Sequence, residues 1–328
     1  MTPTSGTQSL DRHNGVAIVF PGQGCQKTGM GRDFHEAHPE ARAVFEEASE
    51  ALGQDLAALC FEPDERLGRT AWTQPAILTV EIAMFRTAQA RYGLQPDRFG
   101  GHSLGEYTAL VAAGVLPLDQ AVRLVHERGR RMQEAVPEGE GSMAALLRRD
   151  LDPEAVGRTL QGLQVDVANH NSPDQVVLSG SSGDLDRALE RLSSDPATQG
   201  SRARKLAVSA PFHSRLMSSI EPGFRALLDE ASSAWQLSQA DRVLSNFTGR
   251  WHQADRDALV DSLTRQISGT VRWVDNMQAL VRARPAPRIE VGPGRPRRGF
   301  FRSLDTTVES ITNTLTAQRV LATSSETS

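Results

Sequence analysis

Phe99-Gly100-Gly101-His102-Ser103-Leu104-Gly105-Glu106 is the stretch whose reading decides the fold. It carries G-x-S-x-G, and an Ala/Leu/Val-rich segment from Glu106 to Ala113 follows it until Gly114. The pattern is a sharp turn between a strand and a helix, with a serine at its apex. Glycines at that spacing let neighbouring chains approach while the serine hydroxyl projects outward. The N-terminus of the following helix then aims backbone N–H groups at any oxygen that becomes negative. A strand–turn–helix of this kind predicts an α/β fold with a large, α/β-hydrolase-like domain.

Upstream, Val16-Ala17-Ile18-Val19-Phe20 is β-branched and aromatic and stops in Pro21-Gly22-Gln23-Gly24, a buried strand ending in a glycine-rich turn. Helical periodicity follows over Pro39 to Leu52 and Gln74 to Tyr92. From Ser142 to Val208 the elements shorten. The expected strands are Ser142 to Leu147, Val165 to Ala168, Gln175 to Leu178 and Ala203 to Val208, with helices Pro153 to Leu160 and Asp184 to Leu192. That order, β-α-β-β-α-β, predicts an inserted ferredoxin-like subdomain. Beyond it come a strand at Arg242 to Ser245, helices at Leu259 to Ile267 and Val274 to Arg282, and a strand at Arg288 to Val291 before Gly292-Pro293-Gly294. The expected organisation is a flexible N-terminus over 1–14, a discontinuous catalytic domain over 15–140 and 209–318, a small subdomain over 141–208, and a flexible C-terminus over 319–328.

Bulk properties narrow the function. A chain of 328 residues with 39% hydrophobic and 23% charged residues can bury a sizeable core. A net charge of -4 supplies no global basic field, so nucleic acid is set aside. Cys25 and Cys60 are the only cysteines and sit in no metal-ligand spacing, which points to a reducing cytoplasm and no metal. No apolar run approaches the ~20 residues of a membrane span, and no signal peptide is visible.

Serine at its free pKa is a poor nucleophile and needs a base in hydrogen-bond reach. Of eight histidines, His213 in Ser209-Ala210-Pro211-Phe212-His213-Ser214 stands out, because it follows the last strand of the insert, where a returning chain can reach the turn. His102 adjoins the serine but points elsewhere. His13, His35, His38 and His252 lie in polar surroundings and read as surface. A lone Arg128 on a charged helix reads, by itself, as a solvated side chain.

The chain nevertheless resembles the malonyl-CoA:acyl-carrier-protein transacylases of fatty-acid and polyketide synthesis from about Val16 to about Phe300. The resemblance rests on an ordered series: Phe20 to Gln26, Thr73 to Ala76, Gly101 to Tyr107, Arg128-Gly129 with Met132-Gln133, and Asn169 to Gly180. It continues through Phe212 to Ser214, Ser245-Asn246 with Thr248-Gly249, Gln266 with Val271 to Trp273, and Glu290 to Gly294. The resemblance implies that Ser103 is the nucleophile and His213 its base, with main-chain N–H groups of Gln23 and Leu104 as oxyanion hole. It implies a main-chain carbonyl at Gln266, rather than a carboxylate such as Glu106, as the third member of the triad. It further implies that Arg128 grips the malonyl carboxylate, a task suited to a planar guanidinium fork. His102 and Phe212 are expected against the substrate, Leu104 and Phe212 crowding its α-carbon and favouring malonyl.

The expected cycle takes malonyl-CoA and an acyl carrier protein, needs no cofactor beyond coenzyme A and the carrier's phosphopantetheine, and runs in a monomer. Arginine clusters at Arg148-Arg149, Arg202 with Arg204-Lys205, and Arg295 to Arg302 are candidate docking sites for an acidic carrier. Two other readings stand beside it: a hydrolase clearing acyl groups from carriers, and a non-catalytic carrier-binding module. The acyl group could also be larger and carrier-borne. Departures from the family are Cys25, Pro211 and Arg295-Pro296-Arg297-Arg298, the last leaving the start of the terminal helix open.

Overall fold

The computed structural model describes residues 15–322. Four strands, β1 (Val16–Phe20), β2 (Pro96–Gly101), β7 (Arg288–Val291) and β8 (Glu309–Ile311), form a parallel sheet in the order β2-β1-β7-β8. Parallel strands need helical crossovers and are covered on both faces, which is why β1 reads as one continuous apolar run. All strands of such a sheet end on one edge, and ligand sites collect outside those carboxyl ends. Here that edge carries the turn after β1 and the turn after β2. The two are in register, Phe20 opposite Gly101.

The second sheet lies within 141–205: β3 (Gly141–Leu147), β4 (Val165–Ser172), β5 (Gln175–Ser181) and β6 (Arg202–Lys205), antiparallel in the order β4-β5-β3-β6. With the helices Pro153–Thr159 and Ser182–Ser194, this is the ferredoxin-like topology expected from the sequence. It has a core of its own around Leu146, Val156, Leu178 and Leu185. Strand β4 runs on to the large unit, where Ala168 and His170 exchange main-chain hydrogen bonds with Val271.

Several element bounds differ from expectation for identifiable reasons. The helix expected from Gln74 begins at Thr70, with Pro75 inside its second turn. Proline leaves the carbonyl four residues back without its partner, and Nδ1 of His126 lies 2.9 Å from that Ala71 oxygen. Most of this helix is buried on all sides, so it shows no amphipathic stripe. Arg242 to Ser245 forms no strand; Val243 and Leu244 make only isolated bridges, to Phe99 and Trp251. Between Gly294 and β8 a short helix, Arg298–Arg302, forms.

Residues 319–322, placed in a flexible tail by the sequence, are instead the last turn of the Thr314–Ala322 helix, with Val320 and Leu321 buried. The expected flexible segment 1–14 and the remainder of the expected 319–328 tail, residues 323–328, lie outside the described residues. No helix among the described residues is long and apolar enough to cross a membrane. None of them forms a cluster of three or more His, Cys, Asp or Glu that could hold a metal ion.

Candidate active site

Ser103 sits between β2 and the Leu104–Ala112 helix with φ 55 and ψ -105. A non-glycine residue in this region is strained, and such strain is kept where surrounding structure enforces it. The enforcement is visible. A Cβ on Gly101 would meet the Gly105 oxygen at 1.8 Å, and one on Gly105 would meet the Phe20 oxygen at 2.5 Å. The glycines flanking the serine therefore let the turn close on itself and on β1. Asn246 Oδ1 accepts the Ser103 N–H at 2.5 Å, and its Nδ2 donates to the Gly101 oxygen at 2.7 Å.

His213 also has a positive φ, 56. Its Nε2 lies 2.7 Å from Ser103 Oγ, and its Nδ1 lies 2.8 Å from the main-chain oxygen of Gln266. A carbonyl only accepts, so Nδ1 carries the hydrogen and Nε2 presents a lone pair to the serine. Burial, reinforced by the nearby positive charge of Arg128, pushes the His213 pKa from 6.5 down to about 3. The ring is therefore neutral near pH 7 and able to take a proton. The structure thus brings together the three residues expected to form the triad.

Arg128 is 1% exposed. Its Nη1 donates to Gln74 Oε1 at 2.8 Å, and its Nη2 donates to Gln266 Oε1 at 2.8 Å and to Ser103 Oγ at 3.1 Å. Its carbon lies 5.5 Å from the Tyr107 ring centre, and its buried Nε has no hydrogen-bond partner among the described residues. Burial lowers its pKa from the ordinary value, yet a guanidinium keeps its charge at neutral pH. Among the described residues no carboxylate forms an ion pair with it. A buried cation without an anion is costly, and this one borders the nucleophile.

These groups share a cavity of about 180 Å³ lined by Gln23, Gly24, His102, Ser103, Leu104, Arg128, Met132 and Phe212, among others. Leu104 opens a helix, so its N–H has no intrahelical carbonyl to bond. Gln23, on the turn after β1, lines the same space. His102 lines it too, and its Nε2 lies 2.7 Å from Asn171 Oδ1 on β4. Burial holds the His102 pKa well below its usual value. Phe212 closes one wall.

Some residues were placed wrongly or not at all by sequence reasoning. His252, read as surface, is 5% exposed and its Nε2 lies 2.8 Å from Glu106 Oε1. Arg297, grouped with a surface cluster, is 6% exposed, its N–H donating to Glu290 Oε1 at 2.9 Å. Gln74 and Asn246 stood inside quoted motifs without a role. Their signal was polarity at positions that the helix and the turn bury, and only the fold reveals what they face.

A family model described as acyl transferase domain matches residues 17–293. The malonyl CoA-acyl carrier protein transacylase of Escherichia coli (strain K12) is 39% identical over 303 residues, 90% of this chain and 95% of that protein. The crystal structure of malonyl CoA-acyl carrier protein transacylase from Clostridium perfringens superposes with a TM-score of 0.87 at 33% identity, covering 95% of this chain and 98% of that one. A type II PKS acyl-carrier protein in complex with its malonyl-transacylase matches with a TM-score of 0.86 at 36% identity, covering 94% of this chain and 99% of that one. The chain belongs to the acyl transferase family and, within it, to the malonyl CoA-acyl carrier protein transacylases.

Proposed function

We propose that this chain moves a malonyl group from coenzyme A to the phosphopantetheine thiol of an acyl carrier protein through an acyl-Ser103 intermediate. The observation that carries the reading is Arg128: a buried guanidinium, unpaired with any carboxylate among the described residues, 3.1 Å from the nucleophilic oxygen. Such a group is an acceptor site for a free carboxylate on the acyl group.

In the forward half-reaction His213 Nε2 takes the proton from Ser103 Oγ as the oxygen attacks the thioester carbonyl. The N–H groups of Leu104 and Gln23 stabilise the oxyanion. Collapse expels the coenzyme A thiolate, which receives the proton back from His213. In the second half His213 deprotonates the carrier thiol, the thiolate attacks the acyl-serine, and Ser103 recovers its proton. Acyl exchange between thiols is neither oxidation nor reduction, so the cycle calls on no redox group.

The site is complete within one chain, which supports action as a monomer. Cys25 and Cys60 are both unpaired, which supports a reducing cytoplasm. The exposed Arg202 and Arg204 on β6, the strand just before the cavity-lining Leu206 to Val208, offer the carrier a positive edge. A hydrolase for simple acyl chains makes no use of Arg128.

The test is single-turnover transfer from malonyl-loaded enzyme to a phosphopantetheinylated carrier. Malonyl appearing on the carrier faster than free malonate supports the reading. Release to water at the same rate with and without carrier contradicts it.

A further inference from the structure

Glu106 follows the turn on the Leu104–Ala112 helix and is wholly buried. It does not touch His213. Its Oε2 accepts from Gln266 Nε2 at 2.6 Å and from the Asn246 N–H at 3.0 Å, and its Oε1 lies 2.8 Å from His252 Nε2. We propose that Glu106, held by His252, is a positioning residue that fixes the side-chain amide of Gln266 and thereby aims Arg128 at the substrate carboxylate.

The argument is one of donors and acceptors. A carboxylate only accepts, so the end of Gln266 that faces Glu106 is its NH2, and the end that faces Arg128 is its oxygen. Gln266 Nε2 also donates to the Ser103 carbonyl at 3.0 Å. Gln266 Oε1 in turn accepts from Arg128 Nη2, the atom lying against Ser103 Oγ. Replace the carboxylate by an amide and residue 106 can present either a donor or an acceptor. Gln266 can then make a half turn and put NH2 against the guanidinium, donor against donor. Its main-chain carbonyl, which orients His213, is unmoved by that half turn. Loss of Glu106 therefore acts on the clamp more than on the base. His252 completes the set from outside, since it lines a separate cavity of about 560 Å³ that shares no lining residue with the site around Ser103.

This inference rests on the malonyl-transfer reading, and the experiment separates the two. Initial loading rates with malonyl-CoA and acetyl-CoA are measured by intact-protein mass spectrometry for the full chain and for Glu106→Gln, His252→Leu and His252→Gln. In Glu106→Gln the malonyl-to-acetyl ratio falls about tenfold, the effect of one charge-assisted hydrogen bond, with the malonyl KM rising. His252→Leu lowers the ratio in the same direction by less, and His252→Gln, which can still donate to Glu106, restores it. A purely structural role lowers both rates in parallel. A ratio equal to wild type in whichever of Glu106→Gln and His252→Leu folds overturns the inference. A wild-type chain that takes malonyl no better than acetyl overturns the functional reading itself, and this inference with it.

Discussion

His213 and Gln266 meet through the main chain: Nδ1 of the imidazole lies 2.8 Å from the Gln266 carbonyl oxygen. A neutral carbonyl fixes the tautomer as a carboxylate would, but adds no negative charge to stabilise an imidazolium. Burial, and after it the nearby positive charge of Arg128, outweigh the Gln266 hydrogen bond and leave the base weak in its resting state.

Removing the base has a bounded effect. His213→Gln lowers the rate of Ser103 acylation by about 10²–10⁴-fold, the usual contribution of general-base catalysis. Stopped-flow release of coenzyme A in a single turnover measures it. An unchanged rate would remove His213 from the mechanism.

The depressed His213 pKa gives a pH signature. With the folded value pushed from 6.5 to about 3, the ring stays unprotonated, and kcat/KM for malonyl loading is level from roughly pH 5 to pH 8. Stability follows the opposite ordering of states. The unfolded chain protonates this histidine as pH falls below 6.5 while the folded chain does not, so stability is full above 6.5 and declines toward pH 3. Denaturant titrations at several pH values show a shallower decline for His213→Asn than for wild type. Equal slopes would contradict the shift.

Arg128→Ala lowers malonyl loading by about 10–100-fold and acetyl loading much less, because only the former loses a charge-assisted pair. Parallel losses would take the clamp role from Arg128.

Backbone geometry is tested at Gly105. Its missing Cβ makes room for the Phe20 oxygen, 2.5 Å from where that carbon would stand. Gly105→Ala destabilises the fold by about 1–3 kcal/mol, as overpacking does, read as a lower denaturant midpoint.

Carrier docking is tested on β6 rather than at Arg297, whose burial makes its charge reversal a folding defect. Arg202→Glu with Arg204→Glu raises the KM for carrier and leaves malonyl-CoA hydrolysis unchanged. Equal effects on both would place docking elsewhere.

Much of this was legible in the sequence because local signals agreed with the fold. The run Val16–Phe20 and the order of short elements from 141 to 205 needed only period and spacing to be read. Ser103 was legible because its G-x-S-x-G stood after a plausible strand and before an Ala/Leu/Val-rich helix. His252 was not, since nothing in Trp251-His252-Gln253 tells of a buried carboxylate contributed by a helix far away in the chain. Arg297 was misread for the same reason: a run of arginines looks solvated until Glu290 is brought against its backbone. The early helix start at Thr70 depended on His126, on another helix, satisfying the carbonyl that Pro75 leaves open.

The most direct test is the mass of the intact chain after brief exposure to malonyl-CoA, beside Ser103→Ala. The account predicts one malonyl adduct on the wild-type chain, located to Ser103 by peptide mapping and lost in the variant. An adduct that persists in Ser103→Ala, or a wild-type chain that turns over malonyl-CoA with none, contradicts it.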